Sequence, residues 1–164
     1  MALRVQKTSQ QMAAKLSTAT FVDRSLRNHL CFMALHTEYG TAFHLGMIVR
    51  TMFASFFLFD SGFGDADLSI YSEADLSLGK LAASRGLESP YSLESHAVQP
   101  TARLLALYDN QLQTAPLGEL VMAHQRAERN FQAVPEKRLS ISTLVQRCQR
   151  RLQDRHKPPS AIIS

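Results

Sequence analysis

Tryptophan is absent from the 164 residues, and glycine (7) and proline (6) are sparse. A many-stranded sandwich turns often and draws on both residues at its turns, so this composition argues against one. Cysteine occurs twice, as Cys31 and Cys148, far apart and without a neighbouring thiol or histidine cluster. A disulfide framework and a cysteine-based zinc site are thereby excluded, and free thiols in a reducing cytosol are the expectation. No apolar run follows the first charges, so a secretory leader is not predicted. The phosphate-cradling patterns GxxxxGK[ST] and GxGxxG are missing as well.

What is present is apolar and unevenly charged. Hydrophobic residues make up 45% of the chain, enough to build a core. The net charge of +4 hides a division along the sequence. Residues 1–20 carry Arg4, Lys7 and Lys15 and no acid, residues 60–96 carry seven acids against two bases, and residues 136–157 carry seven bases against two acids. The waist is acidic and both ends are basic, a polarity compatible with nucleic acid, an acidic partner or self-association. The acid-free start has a composition shared by transit peptides and basic arms. With a single arginine it reads as a flexible arm over 1–19.

Helical periodicity dominates the rest. Thr20 and Asp23 resemble a capping box, and Val22, Leu26, Leu30 and Met33 recur at helical spacing, which predicts a helix over 21–39 with those residues facing the core. Gly40 is expected to end it in a left-handed conformation. The stretch 41–61 is apolar almost all round and holds Phe53, Phe56, Phe57 and Phe59. It is nearly long enough to cross a bilayer core of about 30 Å. Arg50 stands at its middle, however, where insertion would cost roughly 2.5–3.5 kcal/mol. A buried central helix is therefore predicted, with no membrane contact and with His44, Thr51 and Ser55 in one polar stripe. Further helices are expected over 68–85 (closed by Gly86), from Pro100 to about 113, over 117–132 and over 140–156. Residues 87–99 read as a polar linker and 158–164 as a disordered tail. The predicted fold is all-α: a single-domain helical bundle of about four core helices over 20–134, with a basic amphipathic helix over 135–157.

That last helix carries the main candidate site. Ile141, Leu144, Val145, Cys148 and Leu152 share one face, flanked by Arg147, Arg150 and Arg151, with Arg155 following. A guanidinium row beside an apolar stripe can grip phosphates or an acidic protein while the stripe docks on the bundle. A helix-turn-helix is not predicted, because the break before this helix lacks glycine and exceeds the usual turn of about three to four residues. His124 and Glu128, four apart, form a conceivable acid–base pair, with a structural hydrogen bond at the bundle seam as the simpler reading. His36, Glu38 and His44 straddle a helix break and do not make a helical metal site. Asp60, Asp65 and Asp67 fail the calcium-loop pattern, since Asp65 and Tyr71 stand where glycine and glutamate are needed; acids feeding a helix start explain them.

The segments LRNHL and FLFDSGFGD, with LALYDNQLQTAPL further on, resemble parts of small bacterial helical proteins that bear transcriptional-regulator labels. The resemblance spans about residues 26–131. It implies a bacterial cytosol and carries over no functional residue. The expectation is a cytoplasmic, non-enzymatic regulatory or adaptor protein without a cofactor or metal, acting on a protein partner, possible as a homodimer. The alternative is a nucleic-acid-binding regulator whose Arg147, Arg150, Arg151 and Arg155 contact phosphates.

Overall fold

The most apolar stretch of the chain becomes the axis around which the other elements pack. The protein is described here by a computed structural model covering residues 13–37, 39–65, 67–83 and 90–155. Its helices are α1 (Thr18–His36), α2 (Ala42–Asp60), α3 (Ser69–Ala83), α4 (Ser95–Thr114), α5 (Leu117–Gln132) and α6 (Ile141–Arg155), with a 3-10 turn at Pro135–Lys137. Among the described residues there is no strand, only isolated bridges between Lys15 and Pro116 and between Gly40 and Tyr91. The fold is all-α. The tail over 158–164 and most of the expected arm over 1–19 lie outside the described residues. So do Glu38, Gly86 and the first part of the expected linker.

Every residue of α2 from 51 to 58 is buried, the pattern of a helix enclosed on all sides. It has the length and hydropathy of a membrane span, but α1, α3, α4 and α5 all pack against it. Its polar residues crosslink the bundle. Thr51 Oγ1 donates to Asn28 Oδ1 of α1 at 3.2 Å, and Ser55 Oγ donates to Gln111 Oε1 of α4 at 2.7 Å. Gln111 Nε2 in turn donates to the carbonyls of Ser55 (3.1 Å) and Phe63 (3.0 Å), tying the turn after α2 to α4. Satisfied polar groups of this kind fix helix register, because leaving one unpaired in the core would cost about 1–3 kcal/mol of desolvation. His44 does not join that stripe. Its Nδ1 accepts the Thr41 N–H at 3.1 Å and caps the start of α2.

Several expectations are corrected. Val22, Leu26, Leu30 and Met33 lie outside, at 51, 55, 59 and 47% exposure, while the opposite face of α1 buries Asn28, Cys31, Phe32 and Leu35. Both faces of this helix are apolar, and the one carrying Phe32 and Leu35, together with the asparagine that Thr51 needs, is the one that packs. The N-cap is Ser17 rather than Thr20, whose own N–H donates to Ser17 Oγ at 3.3 Å. Gly40 is not left-handed. It is required because a Cβ there would sit 1.9 Å from the Tyr91 carbonyl oxygen, where the two segments pair through Tyr91 N–H to Gly40 O at 2.9 Å. The expected linker is partly core: Leu93 and Ala97 are buried, and α4 starts at Ser95 with Pro100 inside it. Pro100 lacks the amide that would reach the His96 carbonyl, a loss tolerated so near the helix start.

The last helix is held by Ile141, Leu144, Val145 and Cys148, all buried, and packs against α3. Burying an aliphatic side chain of this size stabilises by about 1.5–3 kcal/mol, so the stripe anchors α6 firmly. Leu152, the fifth stripe residue, is 41% exposed where α6 runs out past the bundle.

Candidate functional site

Between α2, α5, the 3-10 turn and α6 lies a cleft of about 860 Å³. Its position follows from the connection between α5 and α6. Asn130 near the end of α5 clamps that connection twice, donating from Nδ2 to the Leu139 carbonyl (2.9 Å) and accepting the Leu139 N–H on Oδ1 (2.8 Å). Ser140 then accepts the Thr143 N–H at 3.2 Å and starts α6. The chain is thus redirected, and the basic edges of two consecutive helices come to face one another.

Among the described residues six cations line the cleft: Arg126 and Arg129 from α5, Lys137 from the 3-10 turn, and Arg147, Arg150 and Arg151 from α6. One carboxylate faces them. Asp60, the last residue of α2, is only 13% exposed and lies 3.4 Å from Arg126, with Arg151 hydrogen-bonded to its other oxygen. Two arginines sharing one carboxylate leave the wall with unspent donors and a strong positive potential. Phe56, Phe57, Leu139 and Leu144 supply an apolar floor, and the Arg126 guanidinium lies 4.2 Å from the centre of the Phe57 ring. That stacking fixes the guanidinium plane and removes part of the entropy a ligand would otherwise have to freeze out.

The arginines picked out in the sequence are therefore brought together in part. Arg147, Arg150 and Arg151 line the cleft, while Arg155 closes α6 and its side chain lies outside the described residues. Phe57, Arg126, Arg129, Asn130 and Lys137 were missed, because their convergence is tertiary; Asp60, read as an acid feeding a helix start, instead ends α2 and pairs with two arginines of the cleft. The i, i+3 spacing of Arg126 and Arg129 was the only local sign.

His124 and Glu128 do not pair. Glu128 lies 3.5 Å from Arg50, whose guanidinium also covers the Phe131 ring at 5.0 Å. His124 turns into the seam of α1, α4 and α5, where its Nε2 accepts from Tyr108 Oη (2.6 Å) and from Arg24 Nη1 (3.2 Å). Burial first, and the Arg24 charge second, bring His124 down to about 4, and burial pushes the Tyr108 hydroxyl up to about 12. His29 lies 2.8 Å from Asp109, and Asp67 Oδ1 accepts the Ser69 N–H at 3.0 Å, which holds that carboxyl below its ordinary range. Among the described residues no group of histidine, cysteine, aspartate and glutamate is arranged to hold a metal ion.

Cys31 and Cys148 are buried free thiols. Comparison with protein-family models, with curated proteins and with solved structures gives no match for this chain.

Proposed function

We propose that this chain is a non-enzymatic helical regulatory or adaptor protein that binds an acidic segment of a protein partner in the cationic cleft. In this reading α1, α2, α4 and α5 form a four-helix body, α6 is the basic docking helix, and the protein works in the cytoplasm. The observation that carries it is the convergence of six cations on one concave, aromatic-floored site. A pocket of that kind suits a side chain inserted as an anchor, with carboxylates around it meeting the arginines. A nucleic-acid backbone would be better served by a continuous basic track than by a short hollow holding a carboxylate.

The test uses wild-type protein and the Arg150→Ala/Arg151→Ala double variant as bait against native cell extract, with and without nuclease. A discrete protein retained after nuclease and lost with the double variant supports the reading. Retardation of a labelled duplex that weakens by about one unit of log–log salt slope per neutralised phosphate would instead establish the nucleic-acid alternative. Self-association belongs to the same proposal. The outward apolar face of α1, with Leu26 and Leu30 at its centre, is where a second copy would pack. A Leu26→Glu/Leu30→Glu variant that sediments like the wild type at every concentration overturns that part.

A further inference from the structure

A second cavity, of about 560 Å³, opens between α1, α2, α4 and α5, separate from the cationic cleft. Its volume falls in the range of small-molecule sites, about 300–1,000 Å³. Arg24, Arg27 and Arg50 line it, and two of the three have carboxylate partners. Arg27 meets Asp23 at 3.0 Å and Arg50 meets Glu128 at 3.5 Å. Arg24 does not. It is partly buried, it donates to neutral His124 at 3.2 Å, and among the described residues it has no carboxylate partner. A guanidinium in this setting has lost part of its hydration without gaining a counter-charge, and at least three of its donor positions are available to a ligand.

We propose that this cavity binds a small organic monocarboxylate with an apolar body, its carboxylate on Arg24 and its body against Met47, Leu117, Leu120 and Val121. The charge balance selects the class. One cation is uncompensated, so a monoanion neutralises the site, whereas a phosphate dianion would bring excess negative charge beside Asp23. The walls select the rest, since Met47, Leu117, Leu120 and Val121 give the cavity an apolar side that a bare inorganic anion would leave wet. Guanidinium and carboxylate also match as a two-bond fork. Tyr108 and His124 form the floor behind Arg24 and hold its plane through the shared nitrogen.

The experiment titrates isotope-labelled full-length protein with benzoate, benzyl alcohol and inorganic phosphate, followed by amide and imidazole resonances. Benzoate is expected to give saturable shifts around Arg24, Tyr108, Leu120 and His124, and to raise the pH at which the His124 ring titrates. Benzyl alcohol and phosphate should bind at least about fivefold more weakly, a difference of roughly 1 kcal/mol. Arg24→Gln should lower benzoate affinity about tenfold or more. Val121→Glu at the exposed rim should do the same without touching Arg24, and Arg150→Gln in the other cleft should leave it unchanged. Equal binding of phosphate, equal binding of benzyl alcohol, persistence in Arg24→Gln, shifts centred on Arg147 and Arg150, or no saturable shift at all would each overturn the assignment. Shifts centred on Arg147 and Arg150 would place the anion in the cationic cleft; the other outcomes leave that cleft untouched, and its own reading is tested through Arg150 and Arg151.

Discussion

His124 is the residue at which burial and charge act together. Its imidazole is held near 4, below the ordinary 6.5, so the folded protein resists a proton that the unfolded chain accepts. Stability associated with this group is full above about pH 6.5 and is lost progressively as pH falls from there towards 4. The total is of the order of 3 kcal/mol for a shift of this size. Urea titrations at pH 7 and pH 4.5 should show His124→Asn losing less stability than wild type over that interval; equal losses would sink the account. Gly40 is constrained by close approach rather than by charge. A methyl group would collide with the Tyr91 backbone, and neither segment can retreat without breaking the bridge between them. Gly40→Ala should lower stability by about 1–3 kcal/mol, measured by denaturant unfolding.

At the scale of the element, α1 is the instructive helix. Two apolar faces run along it, and only one of them was read as the core face. The face with Val22, Leu26, Leu30 and Met33 has the more regular spacing and was expected inside; it lies in solvent. Leu35 is fully buried, so Leu35→Ala should cost about 2–5 kcal/mol, whereas Leu30→Ala should cost well under 1 kcal/mol. Comparable losses in thermal unfolding would show that the helix is turned the other way. For α2 and α5 no such ambiguity existed. An all-apolar rod has no outside face to choose, and α5 runs from Leu117 to Gln132, the span its pattern predicts between Pro116 and Pro135. The stripe of α6 was equally legible in Ile141, Leu144, Val145 and Cys148. Where α4 begins was not, because Leu93 and Ala97 sit among polar neighbours and only their partners mark them as core.

Across the whole molecule, charge is gathered as well as separated. The last residue of the apolar rod, Asp60, reaches the cleft in which the basic edges of α5 and α6 meet, and it holds Arg126 and Arg151 apart from open repulsion. Asp60→Asn should lower the melting temperature and make it more responsive to sulfate than that of the wild type, since an added anion can take the place of the lost carboxylate. A sulfate response identical in the two proteins would show that the carboxylate is not what balances the cluster. The arginine row of α6 was visible in the sequence, and the cleft was not. Its members come from residues about 90 positions apart, and the Asn130 clamp that folds α6 back is one ordinary asparagine in the sequence.

The order of amino acids by itself determined the helical class and the central rod around Phe53–Leu58, because each follows from local periodicity and composition. Tertiary structure alone decided which side of α1 is inside, where His124 and Glu128 go, and that Arg24 meets no carboxylate among the described residues. Those outcomes depend on which surfaces meet, and a pairwise contact between distant segments has no period to read.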